Sequence, residues 1–324
     1  MKRVILTGAT GFVGANLAQR LLKEGHEVHL LLRKGYSRWR IDSIQDEVNN
    51  IHIVDLSDVE ALGSCVASIR PDWVFHLAAY GAYSSQTNFS EMLRTNLMGL
   101  INLVNACLQI GFEAFINTGS SSEYGIKDHA PLEIELPEPN SDYAFTKLAG
   151  TTYCRFIAQS KNVNIQTLRL YSVYGPFEEP SRLLPRLILY GLKGKYPPLV
   201  NPEIGRDFVY IVDVCRAYEL AARSQDKERG AIYNVGTGRQ STIGSVVQIV
   251  RDTLQIEEEP RWGSMPVRNW DTNIWVANPR KIMDKLSWEP RYTLEKGIGE
   301  MVAWLRSNPT LRSFYEEMGE VLPE

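Results

Sequence analysis

A hydroxyl, a phenol and an ammonium group occur in one order in the middle of the chain. Ser120 lies in the stretch TGSSSEYG (118–125), and Tyr143 and Lys147 lie in the stretch YAFTK (143–147) that follows. A tyrosine and a lysine four residues apart share one face of a helix. The ammonium charge, together with the charge of a bound cofactor, favours the phenolate and brings the tyrosine pKa from about 10 towards neutrality. The three groups together predict proton transfer at one oxygen of a substrate.

A glycine-rich turn at the start of the chain could hold the dinucleotide that moves a hydride alongside that proton. Gly8, Gly11 and Gly14 recur every third residue between an apolar stretch and an amphipathic one. The first glycine permits a tight turn, the second lets the backbone approach a pyrophosphate, and the third lets helix and strand pack closely. The phosphates then lie against unpaired N–H groups at the start of the helix, where Phe12 and Val13 follow.

The elements that must position these groups alternate between strand and helix patterns. Such alternation is typical of an α/β fold with a doubly wound parallel sheet of Rossmann type. Strands are predicted at Arg3–Leu6, Glu27–Leu32, Ile51–Val54, Trp73–His76, Ala114–Thr118 and Asn164–Leu170. Helices are predicted near Phe12–Glu24, Asp58–Ser68, Phe89–Leu108, Tyr143–Ser160 and Ile211–Ser224.

The composition changes after the stretch YGP (174–176), where prolines and tryptophans become frequent. This change indicates a smaller C-terminal lobe that closes over a substrate at the carboxyl ends of the strands, where open sheets bind ligands. We expect residues 1–170, with about 206–235, to form the dinucleotide-binding domain. Residues 171–205 and 236–324 are expected to form the substrate-binding lobe.

The end of the second predicted strand bears on the choice of dinucleotide. An NAD site usually carries Asp or Glu there, to accept a hydrogen bond from the ribose 2′-hydroxyl. This chain has Leu32 at that position, followed by Arg33 and Lys34, with Arg38 close behind. Arginine can pair with a 2′-phosphate through two hydrogen bonds. The stretch predicts NADP(H), and the alternative is a solvated basic turn.

Composition excludes several classes of protein. The net charge of −3 over 324 residues gives no basic footprint for nucleic acid. No apolar run approaches membrane-spanning length, and the first predicted strand begins too early to leave room for a signal peptide. We therefore expect a cytoplasmic protein that binds neither nucleic acid nor membrane.

Cysteines and histidines do not predict a metal site. Cys65, Cys107, Cys154 and Cys215 are widely spaced and form no CxxC pair, so we interpret them as buried reduced thiols. The five histidines show no ligand spacing. His76 ends a predicted strand near the dinucleotide turn, and we interpret it as structural, because Tyr143 is the better base.

Taken together, these motifs resemble the extended short-chain dehydrogenase/reductases that act on nucleotide sugars. The resemblance covers nearly the whole chain. In order, its motifs are the glycine turn, Asp55, HLAA (76–79), Asn96, Ser120, Tyr143, Lys147, LRLYSVYGP (168–176), GRDFVY (205–210), YNVGTG (233–238) and LSWEP (286–290). So long an ordered set is specific for the family and much less specific for one member.

The resemblance implies roles for the central residues. Tyr143 is then the general acid/base, Lys147 also holds the nicotinamide ribose, and Ser120 donates to or accepts from the reacting oxygen. Asp55 is expected to bond the adenine. The other expected contacts to the cofactor are Leu56, Ala78, Ala79 and Asn96.

A nucleotide-diphosphate sugar is the implied substrate, and its two phosphates require cations. Arg206 and Arg268 match the family arginines that meet the diphosphate, although each could instead form a surface salt bridge. Ser172 stands where the family commonly has Asn, which puts the usual contact there in doubt. Four serines are expected to face the substrate: Ser84, Ser85, Ser121 and Ser122.

Three reactions are compatible with the resemblance. The family's 4,6-dehydratases carry an acid and a base at the two positions that are Ser121 and Ser122 here, and Glu123 is displaced by one. A dehydratase therefore ranks third. The 4-epimerases usually keep NAD bound and carry the acidic residue that Leu32 replaces. The cations after Leu32 favour an NADPH-dependent 4-keto reductase of a 4-keto-6-deoxy sugar nucleotide, with the 4-epimerase as the alternative. A non-catalytic NADP(H)-sensing protein is a remote fourth, since all three catalytic groups are present.

Two predicted helices carry apolar residues on more than one face, namely Phe89–Leu108 and Tyr143–Ser160. A helix that is apolar on two sides needs a second partner to bury the outer face. In the family these helices typically pair across a two-fold axis. We expect a homodimer formed through a four-helix bundle.

Overall fold

The computed structural model describes residues 1–45, 47–48, 50–83, 85–224, 228–265 and 272–320. The strands are β1 (Arg3–Thr7), β2 (Glu27–Leu32), β3 (Asn50–Ile53), β4 (Trp73–His76), β5 (Ala114–Ser120), β6 (Ile165–Leu170), β7 (Ser172–Tyr174), β8 (Gly205–Arg206), β9 (Phe208–Tyr210), β10 (Ile232–Val235) and β11 (Ser241–Thr242). The helices are α1 (Phe12–Lys23), α2 (Val59–Ile69), α3 (Phe89–Met92), α4 (Gly99–Ile110), α5 (Asp142–Lys161), α6 (Leu183–Gly191), α7 (Ile211–Arg223), α8 (Ile243–Leu254), α9 (Arg280–Leu286), α10 (Leu294–Ser307) and α11 (Pro309–Glu320).

A seven-stranded sheet forms the centre of the molecule, in the order β10-β6-β5-β4-β1-β2-β3. Every pair of neighbouring strands in it is parallel. The predicted Rossmann-type doubly wound α/β fold is confirmed. The strand order reverses between β1 and β4, so the connections that leave the carboxyl ends of these two strands run to opposite faces of the sheet. The crevice between such connections is where these sheets bind ligands.

Helices cover both faces of the sheet, so most of its strands are buried on both sides. α1 packs beside α7 on one face, and α2, α4 and α5 pack on the other. Apolar side chains of β1 divide between the two layers: Val4 and Leu6 join the first, and Ile5 joins the second. This alternation follows from the two-residue period of a strand.

The helix predicted at Phe89–Leu108 is continuous but not regular. Between α3 and α4 it passes through a π-helical turn at Leu93–Met98. Such turns are rare and often mark functional sites. Asn96 is buried in this turn and points towards the site described below.

Smaller elements make up much of the remaining chain. β7 pairs with β9 in parallel, and β8 pairs with β11 antiparallel. α8 contacts α6 and α10, and α6 also contacts α11. The predicted division into two domains stays a prediction, although β10 joins the central sheet as the proposed boundaries require. None of the helices in the described ranges has both the length and the apolar character that crossing a membrane requires.

Candidate active site

The glycine turn brings three backbone segments closer together than side chains would allow. Gly8 has a φ of +73°, and a Cβ on it would lie 2.5 Å from the carbonyl carbon of Leu77. A Cβ on Gly14 would lie 2.2 Å from the oxygen of Gly8. α1 then begins at Phe12 without a side-chain cap, and its first turn has no acidic residue. The free N–H groups of this turn suit the phosphates of a dinucleotide.

Thr7 connects the turn to the end of β4. Its hydroxyl accepts hydrogen bonds from the backbone N–H groups of Leu77 and Ala78, both at 3.2 Å, and lies 2.9 Å from Nδ1 of His76. Burial lowers the pKa of His76 to about 3, so the imidazole is neutral at physiological pH. This contact fits a structural role for His76. Ala78 is partly buried and Ala79 is exposed beside the turn.

The basic stretch after β2 lies at the rim of the crevice. Leu32 is buried at the end of the strand, whereas Arg33 and Lys34 are exposed. Arg38 is exposed as well, and its Nε donates to Asp42 at 2.8 Å. The structure thus leaves Arg33 and Lys34 at the rim, while Arg38 turns towards a neighbour on its own segment.

Arg40, next in the same stretch, turns inward. Its guanidinium donates to the carbonyl oxygens of Phe177 at 2.8 Å and Thr10 at 3.3 Å, and to the Glu179 carboxylate at 2.8 Å. The group also lies 4.0 Å from the ring centroid of Trp39. These contacts fix the far end of the basic stretch to the glycine turn and to the segment after β7.

Asp55 follows β3 at the same rim. Its carboxylate accepts hydrogen bonds from the backbone and hydroxyl of Ser57, both at 2.8 Å, which together with the positive charges of Arg94 and Arg33 lower its pKa. Leu56 is partly buried beside it. The predicted contacts of both residues with the adenosine end of a cofactor stay predictions.

Asn96 uses both ends of its amide within the protein. Its oxygen accepts from the Tyr80 N–H at 2.8 Å, and its nitrogen donates to the Tyr80 carbonyl at 2.8 Å and to the Thr146 hydroxyl at 3.0 Å. Asn96 therefore holds the segment after β4 against α5. Its predicted contact with a cofactor stays a prediction.

Ser120 is the last residue of β5, and a short 3₁₀ turn at Ser121–Tyr124 follows it. Its hydroxyl oxygen lies 2.6 Å from that of Ser122 and accepts from the Ser122 N–H at 3.2 Å. The turn thus presents two adjacent hydroxyl groups at the carboxyl end of the sheet.

Tyr143 and Lys147 lie on the first two turns of α5, which Ser141 caps by accepting from the N–H of Ala144. Burial, aided by the charge of Glu123, raises the pKa of Tyr143 to about 12, although a hydrogen bond with Ser120 acts to lower it. The pKa of Lys147 is lowered by burial. In the chain alone, burial therefore keeps the pKa of the phenol above its usual value. The shift towards neutrality also depends on the charge of a bound cofactor and stays a prediction.

Glu123 turns away from the Ser120 hydroxyl, into the core. It is wholly buried, and its carboxylate accepts from Nε of Arg169 at 2.8 Å. The two positions where family dehydratases carry an acid and a base hold only the hydroxyls of Ser121 and Ser122.

A cation that the sequence analysis missed faces the same pocket. Arg182, just before α6, donates to the Ala82 carbonyl at 2.7 Å and lies 5.7 Å from the ring centroid of Tyr83. Its charge acts to lower the pKa of Tyr143. Ser85 is exposed in the segment that follows Tyr83. Only the tertiary fold brings Arg182 to this segment, so no local signal identifies it.

Only some of the residues predicted to contact the substrate lie within the described part of the chain. Nη1 of Arg206 donates to the Gly205 carbonyl at 2.7 Å, and the guanidinium lies 5.9 Å from the ring centroid of Trp275. Ser172 is partly buried at the start of β7. Ser84 and Arg268 lie outside the described residues.

Comparison with known proteins identifies a family and relatives that this chain resembles. A family model described as the NAD dependent epimerase/dehydratase family matches residues 4–236. UDP-glucuronate 4-epimerase 4 of Arabidopsis thaliana is 27% identical over an alignment of 331 positions, and the alignment covers 94% of this chain and 75% of the relative.

Two solved structures share the fold over the same extent. UDP-glucose 4-epimerase of Thermus thermophilus, in complex with NAD, is 30% identical, with a TM-score of 0.82, covering 94% of this chain and 99% of that one. UDP-glucose 4-epimerase of Thermotoga maritima, solved with UDP-glucose, is 25% identical, with a TM-score of 0.85 and the same coverage.

Proposed function

The chain belongs to the NAD dependent epimerase/dehydratase family, and we propose that it is a 4-epimerase of a nucleotide-diphosphate sugar. One observation carries this choice within the family. The site offers Tyr143 as an acid/base group, while Ser121 and Ser122 replace the dehydratase pair and Glu123 is paired with Arg169 in the core. Water elimination would lack its proton carriers, whereas oxidation and reduction at one carbon require only one acid/base group.

Tyr143 takes the proton of the C4 hydroxyl and later returns it to the same oxygen. Ser120, hydrogen-bonded to the phenol, shares this oxygen and stabilises the charge that develops on it. Lys147 lies one turn along α5 from Tyr143, and we propose that its ammonium group, with the positive charge that an oxidised nicotinamide would add, favours the phenolate when the proton leaves. A bound nicotinamide supplies the hydride acceptor and donor for C4.

The chain's residues fit such a cofactor. Gly8 and Gly14 make room for the close approach of three segments, and the first turn of α1 has free N–H groups for a pyrophosphate. We assign the phosphates to Gly11, Phe12 and Val13. The remaining proposed contacts are those expected from the sequence: Arg33, Lys34, Arg38, Asp55, Leu56, Ala78, Ala79, Asn96, Tyr143 and Lys147.

The second candidate is the NADPH-dependent 4-keto reductase that the sequence analysis favoured. Arg33 supports it, because an exposed cation follows Leu32 where an NAD site usually has an acid. The relatives described above support the epimerase, since three of them are 4-epimerases and one was solved with NAD. NADP(H) as the cofactor therefore belongs to the reductase candidate.

Two measurements on the purified protein separate the candidates. The dinucleotide released on denaturation is identified by mass, and the protein is then supplied with UDP-glucose or UDP-glucuronic acid. Conversion to the C4 epimer without net change in cofactor supports the epimerase. Stoichiometric loss of NADPH with a 4-keto-6-deoxy sugar nucleotide, and no epimerisation, would replace the epimerase by the reductase.

The sugar nucleotide is assigned to the predicted substrate residues. We propose that Arg206 and Arg268 meet the diphosphate, and that Ser172 approaches it where the family has Asn. Arg182 adds a cation near Tyr143. The serines proposed to face the substrate are Ser84, Ser85, Ser121 and Ser122.

We also propose that the chain forms a homodimer through α5 and the helix formed by α3 and α4. Phe145 and Phe156 lie eleven residues apart on one face of α5 and are 49% and 60% exposed. Met98 is also exposed, on the neighbouring helix. Light scattering at micromolar concentration should give the mass of a dimer, and Phe156→Asp should give a monomer. A monomer mass for the unmodified chain would contradict this proposal. The cytoplasmic location stays a prediction.

A further inference from the structure

A buried carboxylate joins the two elements that carry the proposed catalytic residues. One oxygen of Glu123 accepts from the backbone N–H of Ser120 at 2.8 Å and from the hydroxyl of Thr151 at 3.0 Å. The other accepts from Nε of Arg169 on β6 at 2.8 Å. Glu123 thus contacts β5, α5 and β6 with one group.

The contact with α5 falls on the face of the helix that carries the chemistry. Tyr143, Lys147 and Thr151 follow one another at intervals of four residues, so they lie in one row along α5. The hydrogen bond from Thr151 to Glu123 fixes this row relative to the end of β5. Ser120 at that end is fixed through its backbone N–H, so its bond with Glu123 does not occupy the hydroxyl that meets the phenol.

The surrounding residues are suited to holding this carboxylate. A Cβ on Gly119 would lie 2.7 Å from Oε1 of Glu123, so a side chain there would displace it. Arg169 pairs with Gly119 in the register of the sheet and is almost wholly buried. Its guanidinium also lies 4.4 Å from the ring centroid of Tyr124.

We infer that Glu123 is a positioning residue of the active site, whose carboxylate fixes Ser120 and the α5 face bearing Tyr143 and Lys147. This inference rests on the proposed function of those three residues. Glu123 does not touch the substrate, since its oxygens are directed at Ser120, Thr151 and Arg169 in the core. It acts through geometry and through its charge.

The charge of Glu123 affects the pKa values of its neighbours, which its packing alone would not do. It acts to raise the pKa of both Tyr143 and Lys147. Tyr143 is also faced by four groups from other elements: Ser120 at the end of β5, Arg182 before α6, Tyr83 after β4, and Tyr218 on α7. Lys147 lies one turn further along its own helix. Removing the Glu123 charge leaves these in place and should lower the pKa of Tyr143.

The test uses the full chain saturated with NAD⁺ and labelled with ¹³C at the tyrosine ζ-carbons. The signal absent from Tyr143→Phe reports this phenol, and its titration gives the pKa without turnover. Glu123→Gln should lower that pKa by about one unit. With UDP-glucose it should lower kcat by about 10-fold to 100-fold, while KM stays nearly unchanged.

Two matched variants isolate the two effects. Glu133→Gln neutralises another buried carboxylate, one that accepts from the N–H of Asn234 and is not among the groups acting on Tyr143. It should change neither the pKa nor kcat. Thr151→Val removes only the hydrogen bond that joins Glu123 to α5. It should lower kcat several-fold and leave the pKa of Tyr143 unchanged.

Glu123→Gln leaves the Arg169 charge unpaired, which is strongly destabilising in a core. If that variant does not fold, Glu123→Gln combined with Arg169→Gln removes both charges and should still lower the pKa of Tyr143. A pKa and kcat that match those of Glu133→Gln would overturn the inference. If the unmodified chain epimerises neither sugar, the proposed function fails, and the titration still decides the role of Glu123.

Discussion

The two ends of the candidate site are built differently. At the carboxyl end of β5, Ser120 and the row on α5 are held by Glu123, which is itself wholly buried and paired with Arg169. At the end of β2, Arg33 and Lys34 are exposed to solvent. The first region constrains its groups from several elements, whereas the second presents charges from a surface segment.

Because of this difference, the β5 end can fix the geometry of its groups, whereas the β2 end can only adjust to a ligand. A group held by buried hydrogen bonds keeps one geometry, which proton transfer at a single oxygen requires. An exposed arginine can adapt to a ligand, and each contact it makes is screened by solvent. We therefore expect large effects from changes at the β5 end and smaller, ligand-dependent effects from changes at the β2 end.

The largest effect is expected from Tyr143→Phe. The ring packing is kept and the proton carrier is lost, so kcat for UDP-glucose should fall by about 10² to 10⁴. Tyr153→Phe on the same helix, whose hydroxyl lies 3.3 Å from Asn105, serves as the matched control and should keep activity. Circular dichroism and NAD⁺ binding should be unchanged in both. Full activity in Tyr143→Phe would show that this phenol does not carry the proton, and the contrast between the β5 end and the β2 end would then be wrong.

Ser120→Ala should have the next largest effect. It removes one donor from the reacting oxygen and leaves the backbone N–H that Glu123 accepts from, so kcat should fall by about 10². Steady-state rates with UDP-glucose measure this, with Ser160→Ala near the far end of α5 as the control. A fall larger than that of Tyr143→Phe would mean that Ser120, and not the tyrosine, carries the proton.

Arg33→Ala tests the β2 end. If Arg33 pairs with a 2′-phosphate, its loss removes a charge-assisted bond worth about 1.5–3 kcal/mol. NADPH affinity should then fall about 10-fold to 100-fold, while NADH affinity changes little, as measured by calorimetry on protein freed of its dinucleotide. Tighter binding of NADH than of NADPH by the unmodified protein would exclude this role and favour the epimerase further.

Arg38→Ala should have the smallest effect. Arg38 is already paired with Asp42, and both side chains are exposed, so its proposed contact with the cofactor should be weak and we expect a change of about two-fold or less in NADPH affinity. The same calorimetric titration measures it. A fall as large as that of Arg33→Ala would show that Arg38 leaves Asp42 to bind the cofactor, as the sequence analysis expects.

Much of the central sheet could be predicted from the sequence, because buried parallel strands are continuous apolar runs. Trp73–His76 matches β4, and Ile51–Val54 differs from β3 by one residue at each end. β10 was missed although its stretch YNVGTG was noted. Of the helices after Tyr174, only α7 was predicted, and α6, α8, α9, α10 and α11 were missed.

The same distinction applies to the site. Tyr143 and Lys147 could be predicted to share a face because their spacing alone fixes it. The raised pKa of Tyr143 could not, since it depends on burial and on Glu123 in another element. Nor could the pairing of Glu123 with Arg169, which lies 46 residues later. The choice between NAD and NADP depends on exposed side chains whose ligand the fold does not specify.

The inward-turned Arg40 has a consequence for how this protein can change over time. Its bonds to Thr10, Phe177 and Glu179 fix the far end of the basic stretch. Substitutions at the exposed Arg33 and Lys34 leave these bonds intact. Mutations at Arg33 or Lys34 should therefore be nearly neutral for folding, as exposed substitutions generally are. Cofactor preference could therefore change in evolution, or be redesigned, through these two exposed residues without compensating changes in the core.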